Sequence, residues 1–215
     1  MKIIGVGYRS WAISIYKNIQ KNKKHKVLIL KEKKINLTKV NKFNPEFILF
    51  YGWSWMVPKS LIKKYKCIML HPSKLPKFKG GSPLQNQIIR NIKKSHITLF
   101  RMNEKIDGGN IILSKKISLS GNINKIFARM TRIGFDLTKK MLNSKYKDKK
   151  QTKSNVKIYK RLLPKDSEIT VNDLLTKNSN YLFNKIRMLG DPYPNAFIKL
   201  KDGKKLIIKE AKLKQ

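Results

Sequence analysis

The fold of this chain is decided by residues 67–110, which read CIMLHPSKLPKFKGGSPLQNQIIRNIKKSHITLFRMNEKIDGGN. An apolar run ends at His71, and the loop that follows is so rich in proline and glycine that neither a strand nor a helix interior can contain it. A second apolar run, residues 96–102, leads into a polar loop that holds Asp107. Catalytic residues on open α/β sheets lie where strands end. We therefore expect His71 and Asp107 to meet at one edge of a sheet.

This stretch resembles a known enzyme family. Residues 71–83, HPSKLPKFKGGSP, followed by residues 102–111, MNEKIDGGNI, resemble the formyltransferases that use N10-formyltetrahydrofolate. The resemblance continues upstream through residues 47–52 and 57–58 and downstream through residues 191–197, DPYPNAF, so it covers most of the chain. It is closest to the small nucleotide-sugar N-formyltransferases, in a family that also includes methionyl-tRNA and glycinamide ribonucleotide formyltransferases.

The pattern along the chain, taken with this resemblance, predicts an α/β fold. We expect a Rossmann-like, mostly parallel twisted sheet flanked by helices, because buried strand-like runs alternate with stretches of helical spacing. Residues 1–150 are expected to form the catalytic domain, and residues 151–215 a small extension with a helix at 181–189 and a β-hairpin at 196–208. Residues 191–194 must form a turn, and the lysine-rich linker at residues 145–160 carries no signal of chemistry.

The composition limits the function classes. Fifty lysines and arginines against 12 acidic residues give a net charge of +38, which invites a nucleic-acid interpretation. Only seven of the 50 are arginines, and the lysines are spread along the whole chain, so we attribute the charge to compositional bias and expect no nucleic-acid partner. The one cysteine, Cys67, excludes an intrachain disulfide, and no apolar run reaches the roughly 18 residues of a membrane span. We expect a cytoplasmic protein with no membrane partner and no metal, since its histidines and its cysteine lack metal-ligand spacing.

The resemblance implies that His71 and Asp107 are catalytic. Histidine titrates near neutral pH and can handle the proton of an amine nucleophile, while Asp107 can hydrogen-bond the ring and fix its tautomer. One position departs from the family, which places asparagine two residues before the histidine, where this chain has Met69. A thioether donates no hydrogen bond, so Met69 cannot polarise a formyl oxygen. We expect protonated His71, an ordered water or a backbone N–H to take over that role.

The remaining site residues follow from the resemblance. It implies a folate pocket formed by Trp53, Met56, Val57, Met102, Ile106 and Asp107, and an acceptor site formed by Tyr8, Arg9, Ser10, Lys79, Gly80, Gly81, Ser82 and Gln85. Two alternatives stay open from the residues alone. Trp53 and Trp55 would point the same way on an extended segment and flank a flat ring, or they would pack in the core. Arg9 would assist an anion at the start of the first helix, or it would be a solvated arginine in an ordinary turn.

The function implied by the resemblance is N-formylation. N10-formyltetrahydrofolate would supply the formyl group, and a nucleotide-linked amino-deoxy sugar for surface polysaccharide would accept it. The alternatives are a non-catalytic folate- or nucleotide-binding member of the family, suggested by Met69, and a formyltransferase that acts on aminoacyl-tRNA, suggested by the charge. The resemblance also allows a homodimer.

Overall fold

A computed structural model describes residues 1–152, 156–191 and 193–214. The strands are β1 (Lys2–Val6), β2 (Lys26–Leu30), β3 (Phe47–Phe50), β4 (Lys66–His71), β5 (Lys79–Gly80), β6 (Lys94–Arg101), β7 (Ile111–Ser118), β8 (Ile158–Tyr159), β9 (Ala196–Lys199) and β10 (Lys205–Ile208). The helices are α1 (Ser10–Gln20), α2 (Leu37–Phe43), α3 (Lys59–Lys64), α4 (Pro83–Ile88), α5 (Ile123–Asn143), α6 (Val171–Thr176) and α7 (Ser179–Arg187), with a 3₁₀ turn at Pro164–Ser167.

The described residues build one central sheet of six strands in the order β2-β1-β3-β4-β6-β7. The first four of these strands run parallel, while β6 pairs antiparallel with β4 and β7 antiparallel with β6. The run Phe47–Phe50 is buried at every position, as expected of a strand that is covered on both faces. The predicted Rossmann-like, mostly parallel sheet is confirmed.

Helices cover both faces of this sheet. On one face, α1 and α5 pack against each other and share a core cluster with Ile3, Leu49 and Ile68. On the other face, Val40 of α2 and Leu61 of α3 pack with Ile48 in a second cluster. The amphipathic pattern of α5 explains its place, because its buried positions recur at helical spacing, and the side chain of Asn122 caps its first turn by accepting from the Lys125 N–H.

A buried tyrosine ties together the strand ends that position the site. The hydroxyl of Tyr16 lies 2.9 Å from the Val6 carbonyl and 2.8 Å from that of Leu49, and it accepts the Tyr51 N–H at 2.8 Å. These groups lie at the carboxyl ends of β1 and β3, next to the end of β4. Tyr16 therefore holds the ends of β1 and β3 together, and the parallel pairing of β3 with β4 places the end of β4 beside them.

The C-terminal part packs on the same core. Ile169, Ile186 and Ala196 belong to the cluster that α1 and α5 form, and the predicted C-terminal helix and hairpin appear as α7 and the β9–β10 pair. The division at residue 150 stays a prediction. The predicted turn at residues 191–194 includes Pro192, which lies outside the described residues, as do residues 153–155 of the expected linker. Within the described residues, no helix is both long enough and apolar enough to cross a membrane.

Candidate active site

His71 closes β4 with its ring held between two oxygen atoms. Nε2 lies 2.8 Å from the carbonyl oxygen of Phe78, and Nδ1 lies 3.5 Å from Oδ2 of Asp107. The side chain is only 5% exposed. Because each ring nitrogen faces an acceptor, the doubly protonated imidazolium satisfies both contacts, and in the neutral ring one contact has no proton. The ring is thus oriented to hold a proton beside a carboxylate.

Asp107 reaches His71 by a route that the strand order alone does not suggest. Since β6 runs antiparallel to β4, Arg101 lies level with Ile68, below the end of β4. Residues 102–110, the Asp107 loop, must fold back to bring the carboxylate up to the ring. Asp107 itself has a φ of 44°, in the left-handed region, and its Oδ2 accepts the Gly80 N–H at 2.8 Å. The expected meeting of the two side chains is present in the structure, and their catalytic role stays a prediction.

Hydrogen bonds from outside the Asp107 loop hold it in this conformation. The side-chain nitrogen of Gln151 donates to the carbonyls of Asp107 and Gly109, both at 2.8 Å. Gly109 lies directly on the Arg101 carbonyl, so a Cβ at this position would collide with backbone. Glycine is therefore required at position 109 by the close approach of two chain segments.

The loop after His71, residues 72–82, is equally constrained. The Ser73 hydroxyl donates to the Lys77 carbonyl at 2.6 Å, and the Ser73 carbonyl accepts from the Thr98 hydroxyl at 2.6 Å. Gly80 has a φ of 94°, and a Cβ on it would strike the Tyr159 carbonyl, because β5 pairs there with β8. Residues 156–162, which we call the strap, thus pack against the end of this loop at Gly80 and Gly81.

A cavity of about 440 Å³ adjoins the His71–Asp107 pair. The predicted residues that line it are His71, Asp107, Trp53, Met56, Val57, Met102, Ile106, Arg9, Gly80, Gly81, Ser82 and Gln85. The predicted residues Tyr8, Ser10 and Lys79 do not reach its wall, although the Tyr8 hydroxyl is 2.7 Å from that of Ser54, which does. The binding roles of these residues stay predictions.

Aromatic and apolar side chains form one wall of the cavity. Trp53 and Trp55 meet edge to face, with centroids 4.7 Å apart and planes at 69°, so they do not flank a common slot. Trp53 also packs against Phe50, and its indole Nε1 is buried with no hydrogen-bond partner among the described residues. Met69 lines the same cavity from β4, two residues before His71. The position that the family gives to asparagine is therefore an apolar part of the wall.

Several lining residues were missed by sequence reasoning. Tyr159 and Arg161 come from the strap, in or next to the segment interpreted as a linker without chemistry, and Tyr193 comes from the C-terminal turn. Tyr159 stacks on Phe78 with centroids 5.2 Å apart, and Arg161 donates to the Ser54 hydroxyl at 2.9 Å. The apolar pair Ile158–Tyr159 between lysines was the only available signal of a strand there.

Comparison with known proteins identifies the family. Residues 9–130 match the family model described as formyl transferase. Methionyl-tRNA formyltransferase of Ehrlichia ruminantium (strain Welgevonden) is 28% identical over 179 residues, which are 80% of this chain and 56% of the relative. The chain spans about half the length of the curated relatives it matches.

Solved structures agree on the fold. The methionyl-tRNA formyltransferase from Clostridium thermocellum has 32% identity and a TM-score of 0.85, with 97% of each chain covered. A 4-N formyltransferase from Francisella tularensis has 20% identity and a TM-score of 0.76, covering 100% of this chain and 98% of the other. The matched segment contains the whole His71 loop and Asp107. This chain is a member of the formyl transferase family.

Proposed function

We propose that this protein is a folate-dependent N-formyltransferase, which moves a formyl group from N10-formyltetrahydrofolate to a primary amine. The observation that carries the proposal is the buried His71–Asp107 pair, with 3.5 Å between Nδ1 and Oδ2, at the wall of a cavity large enough for a small molecule. A pair of this kind is suited to accept and return a proton.

The apolar wall suits the donor. A flat bicyclic ring would pack against Trp53, Val57 and Met102. Met56 and Ile106 are 80% and 49% exposed, so they would contact the donor only from the rim. When bound, N10-formyltetrahydrofolate supplies an activated formyl carbon for attack by the amine.

The residues at the end of β4 would handle the proton. The His71–Asp107 pair would accept the proton that the attacking amine loses, and it would return a proton to the nitrogen of the donor that leaves the formyl group. Gly80 N–H keeps Oδ2 of Asp107 in place through its 2.8 Å bond. The charge that develops on the formyl oxygen would be met without an amide at position 69, by the positive charge that His71 carries once it holds the amine's proton.

We favour a nucleotide-linked amino sugar as the acceptor. Tyr159, Arg161 and Tyr193 also line the cavity, and its volume of about 440 Å³ suits a small-molecule amine. The fold that this chain shares with a sugar N-formyltransferase from Shewanella sp FDAARGOS_354 is compatible with a sugar acceptor.

Methionyl-tRNA is the second candidate. The specific observation that favours it is the 32% identity over 97% of the chain to the Clostridium enzyme, which is higher than the 20% to the Francisella protein. The net charge of +38 would also assist binding of an RNA.

A turnover assay decides between these possibilities. The protein is mixed with N10-formyltetrahydrofolate and either UDP-, dTDP- and GDP-linked amino sugars or methionyl-tRNA, and formylated product is sought by mass spectrometry. We expect product with the parent protein and none with Asp107→Ala. Equal product from both proteins would overturn the catalytic assignment, and folate binding without product from any acceptor would favour the non-catalytic alternative.

A further inference from the structure

The strap packs an aromatic ring on the loop that holds His71. We propose that Tyr159 is a positioning residue for His71: it keeps the Phe78 carbonyl on Nε2 of the ring, which leaves Nδ1 as the nitrogen that gains and loses the proton. This inference rests on the proposed function, because it assigns the atom through which the His71–Asp107 pair would handle the proton of the amine. It also adds a residue that lies outside the matched family segment, residues 9–130.

The two ring nitrogens of His71 have contacts of different quality. Nε2 lies 2.8 Å from the carbonyl oxygen of Phe78, an ordinary hydrogen-bond distance. Nδ1 lies 3.5 Å from Oδ2 of Asp107, which is longer than the roughly 2.7–2.9 Å of a charge-assisted hydrogen bond. A carbonyl oxygen only accepts, so the shorter contact requires a proton on Nε2. In the neutral ring, Nδ1 is therefore the nitrogen without a proton.

The carbonyl that fixes Nε2 belongs to a residue with an unfavourable backbone. Phe78 has a φ of 57°, in the left-handed region that residues with a Cβ rarely adopt. Such a conformation persists where the surrounding structure imposes it. The Lys77 carbonyl accepts from the Ser73 hydroxyl and the Gly80 N–H donates to Asp107, so the chain is fixed on either side of Phe78. Neither bond involves Phe78 itself, whose conformation must be held by its side chain.

Tyr159 supplies that support. Its ring stacks on the ring of Phe78, with centroids 5.2 Å apart and planes at 16°. Aromatic pairs at this separation are stabilised beyond the apolar area that they bury. The Arg90 guanidinium lies 4.8 Å from the centroid of the Tyr159 ring, and Nζ of Lys157 lies 5.6 Å from it. Cation–π contacts therefore hold the tyrosine ring in turn.

The support of Tyr159 is connected back to the same loop. Nη1 of Arg90 donates to the backbone carbonyl and to the side-chain oxygen of Asn86, at 2.8 and 3.0 Å. The Asn86 side chain donates to the Gly81 carbonyl at 3.0 Å, and the Gly81 N–H donates to the Tyr159 carbonyl at 2.8 Å. Because β8 pairs with β5 through backbone groups, the Tyr159 ring can be removed while this pairing stays.

The test observes the His71 ring directly. Tyr159 lines the cavity, so loss of turnover alone would also fit a contact with a substrate. Nitrogen-15 NMR of the ligand-free protein reports which ring nitrogen is protonated, and the His71 signals are those that disappear in His71→Asn. We expect the neutral ring of the parent to carry its proton on Nε2 and Tyr159→Ala to show a mixture of both tautomers. Tyr159→Phe keeps the stacked ring and should behave like the parent.

Turnover should follow the state of the ring. With N10-formyltetrahydrofolate and an accepted amine, kcat of Tyr159→Ala should fall about tenfold through misplacement of the imidazole, and kcat of Tyr159→Phe should stay within about twofold of the parent. Tyr181→Ala is the matched control, since Tyr181 lies on α7 with Lys177 and Lys185 over its ring and is not among the described lining residues. It should change neither the tautomer nor kcat.

The outcomes separate this inference from the proposed function. A neutral parent ring with its proton on Nδ1, a parental tautomer in Tyr159→Ala or an unchanged kcat in that variant would overturn the role of Tyr159. If Tyr159→Ala does not fold, Tyr159→Leu replaces it, because leucine fills the space without an aromatic face. The expected tautomers without turnover on any acceptor would support the positioning of His71 and count against the proposed function. Formyl transfer with the other tautomer would do the reverse.

Discussion

Nδ1 of His71 lies 3.5 Å from Oδ2 of Asp107, and the same oxygen accepts the backbone N–H of Gly80. Three segments of the chain therefore converge on one carboxylate oxygen: the end of β4, the loop after it and the Asp107 loop. The Nε2 side of the ring is fixed by the Phe78 carbonyl at 2.8 Å. The pair is thus held directly by two backbone groups.

Asp107→Asn should remove the charge of this side chain while it keeps the hydrogen bond to Gly80. The amide oxygen can still accept from Gly80 N–H, but the side chain can no longer take a proton, so we expect kcat to fall by a factor of about 10² or more. Thermal unfolding should change little. The control is Asp136→Asn, which removes an exposed carboxylate on α5 that pairs with Lys115 at 3.5 Å. If Asp107→Asn keeps near-parental kcat, the carboxylate is not part of the proton path.

Met69→Asn should restore the donor that the family has at this position. Met69 lines the cavity wall two residues before His71, so an amide there would reach the same space. One donor to a developing oxyanion is worth roughly 10²–10³ in kcat. Because His71 already covers part of this role, we expect a smaller gain of about tenfold.

The apolar variant Met69→Leu tests the opposite possibility. It keeps the volume and apolar character of the wall, so kcat should stay within about twofold of the parent. A large loss in Met69→Leu would mean that the thioether itself has a function. A loss in Met69→Asn would mean that the cavity is built around an apolar residue.

Gln151→Met tests whether the Asp107 loop needs its external support. The change keeps the length of the side chain but removes the donors to the carbonyls of Asp107 and Gly109. We expect kcat to fall about tenfold through misplacement of the carboxylate, with a smaller change in donor KM. Gln20→Met removes an exposed glutamine that donates to the Val27 carbonyl at 3.3 Å and should leave both constants unchanged. If Gln151→Met also leaves kcat unchanged, the loop holds its conformation without this support.

Two buried tyrosines and a buried cysteine should make the stability of the fold decrease at alkaline pH. Burial raises the pKa of the Tyr16 and Tyr51 hydroxyls, and it raises the pKa of the Cys67 thiol to about 12. In the folded state these groups keep protons that the unfolded chain loses. Their contribution is therefore complete below the unfolded pKa values, 9.0 for the thiol and 10.0 for the phenols, and declines as pH rises beyond them.

The contribution of one tyrosine can be isolated by difference. Urea unfolding is measured from pH 8 to 11 for the parent and for Tyr51→Phe, so that the titration of the many lysines cancels. Tyr51→Phe loses the 2.9 Å bond to Thr138 and should be less stable at pH 8. Above about pH 10 the difference in the free energy of unfolding between the parent and Tyr51→Phe should decrease by up to about 1.4 kcal/mol per pH unit, because only the parent loses this proton on unfolding. A gap independent of pH would mean that Tyr51 ionises in the folded protein.

The parts of the site that lie in one short stretch could be read from the sequence. His71 follows an apolar run, and the glycines and prolines after it mark a shaped loop by local conformational preference. The meeting of Asp107 with His71 was predicted from the strand ends and is present, while their catalytic role was assigned from the resemblance. The sheet was predictable for the same local reason, since fully apolar runs such as Phe47–Phe50 indicate strands buried on both faces.

Pairing between distant segments was decided by tertiary structure alone. Because β6 runs antiparallel to β4, the Asp107 loop must fold back. No residue in that loop indicates whether the two strands run parallel or antiparallel. Gln151, Tyr159 and Arg161 lie in or beside a segment that looks like a solvated lysine-rich linker, and they acquire roles because β8 pairs with β5 and because Gln151 reaches two carbonyls. The sequence by itself determined which groups can do chemistry, through residue type and local backbone preference. The tertiary structure determined which of them share a cavity, because that depends on long-range hydrogen bonds and packing that no local pattern encodes.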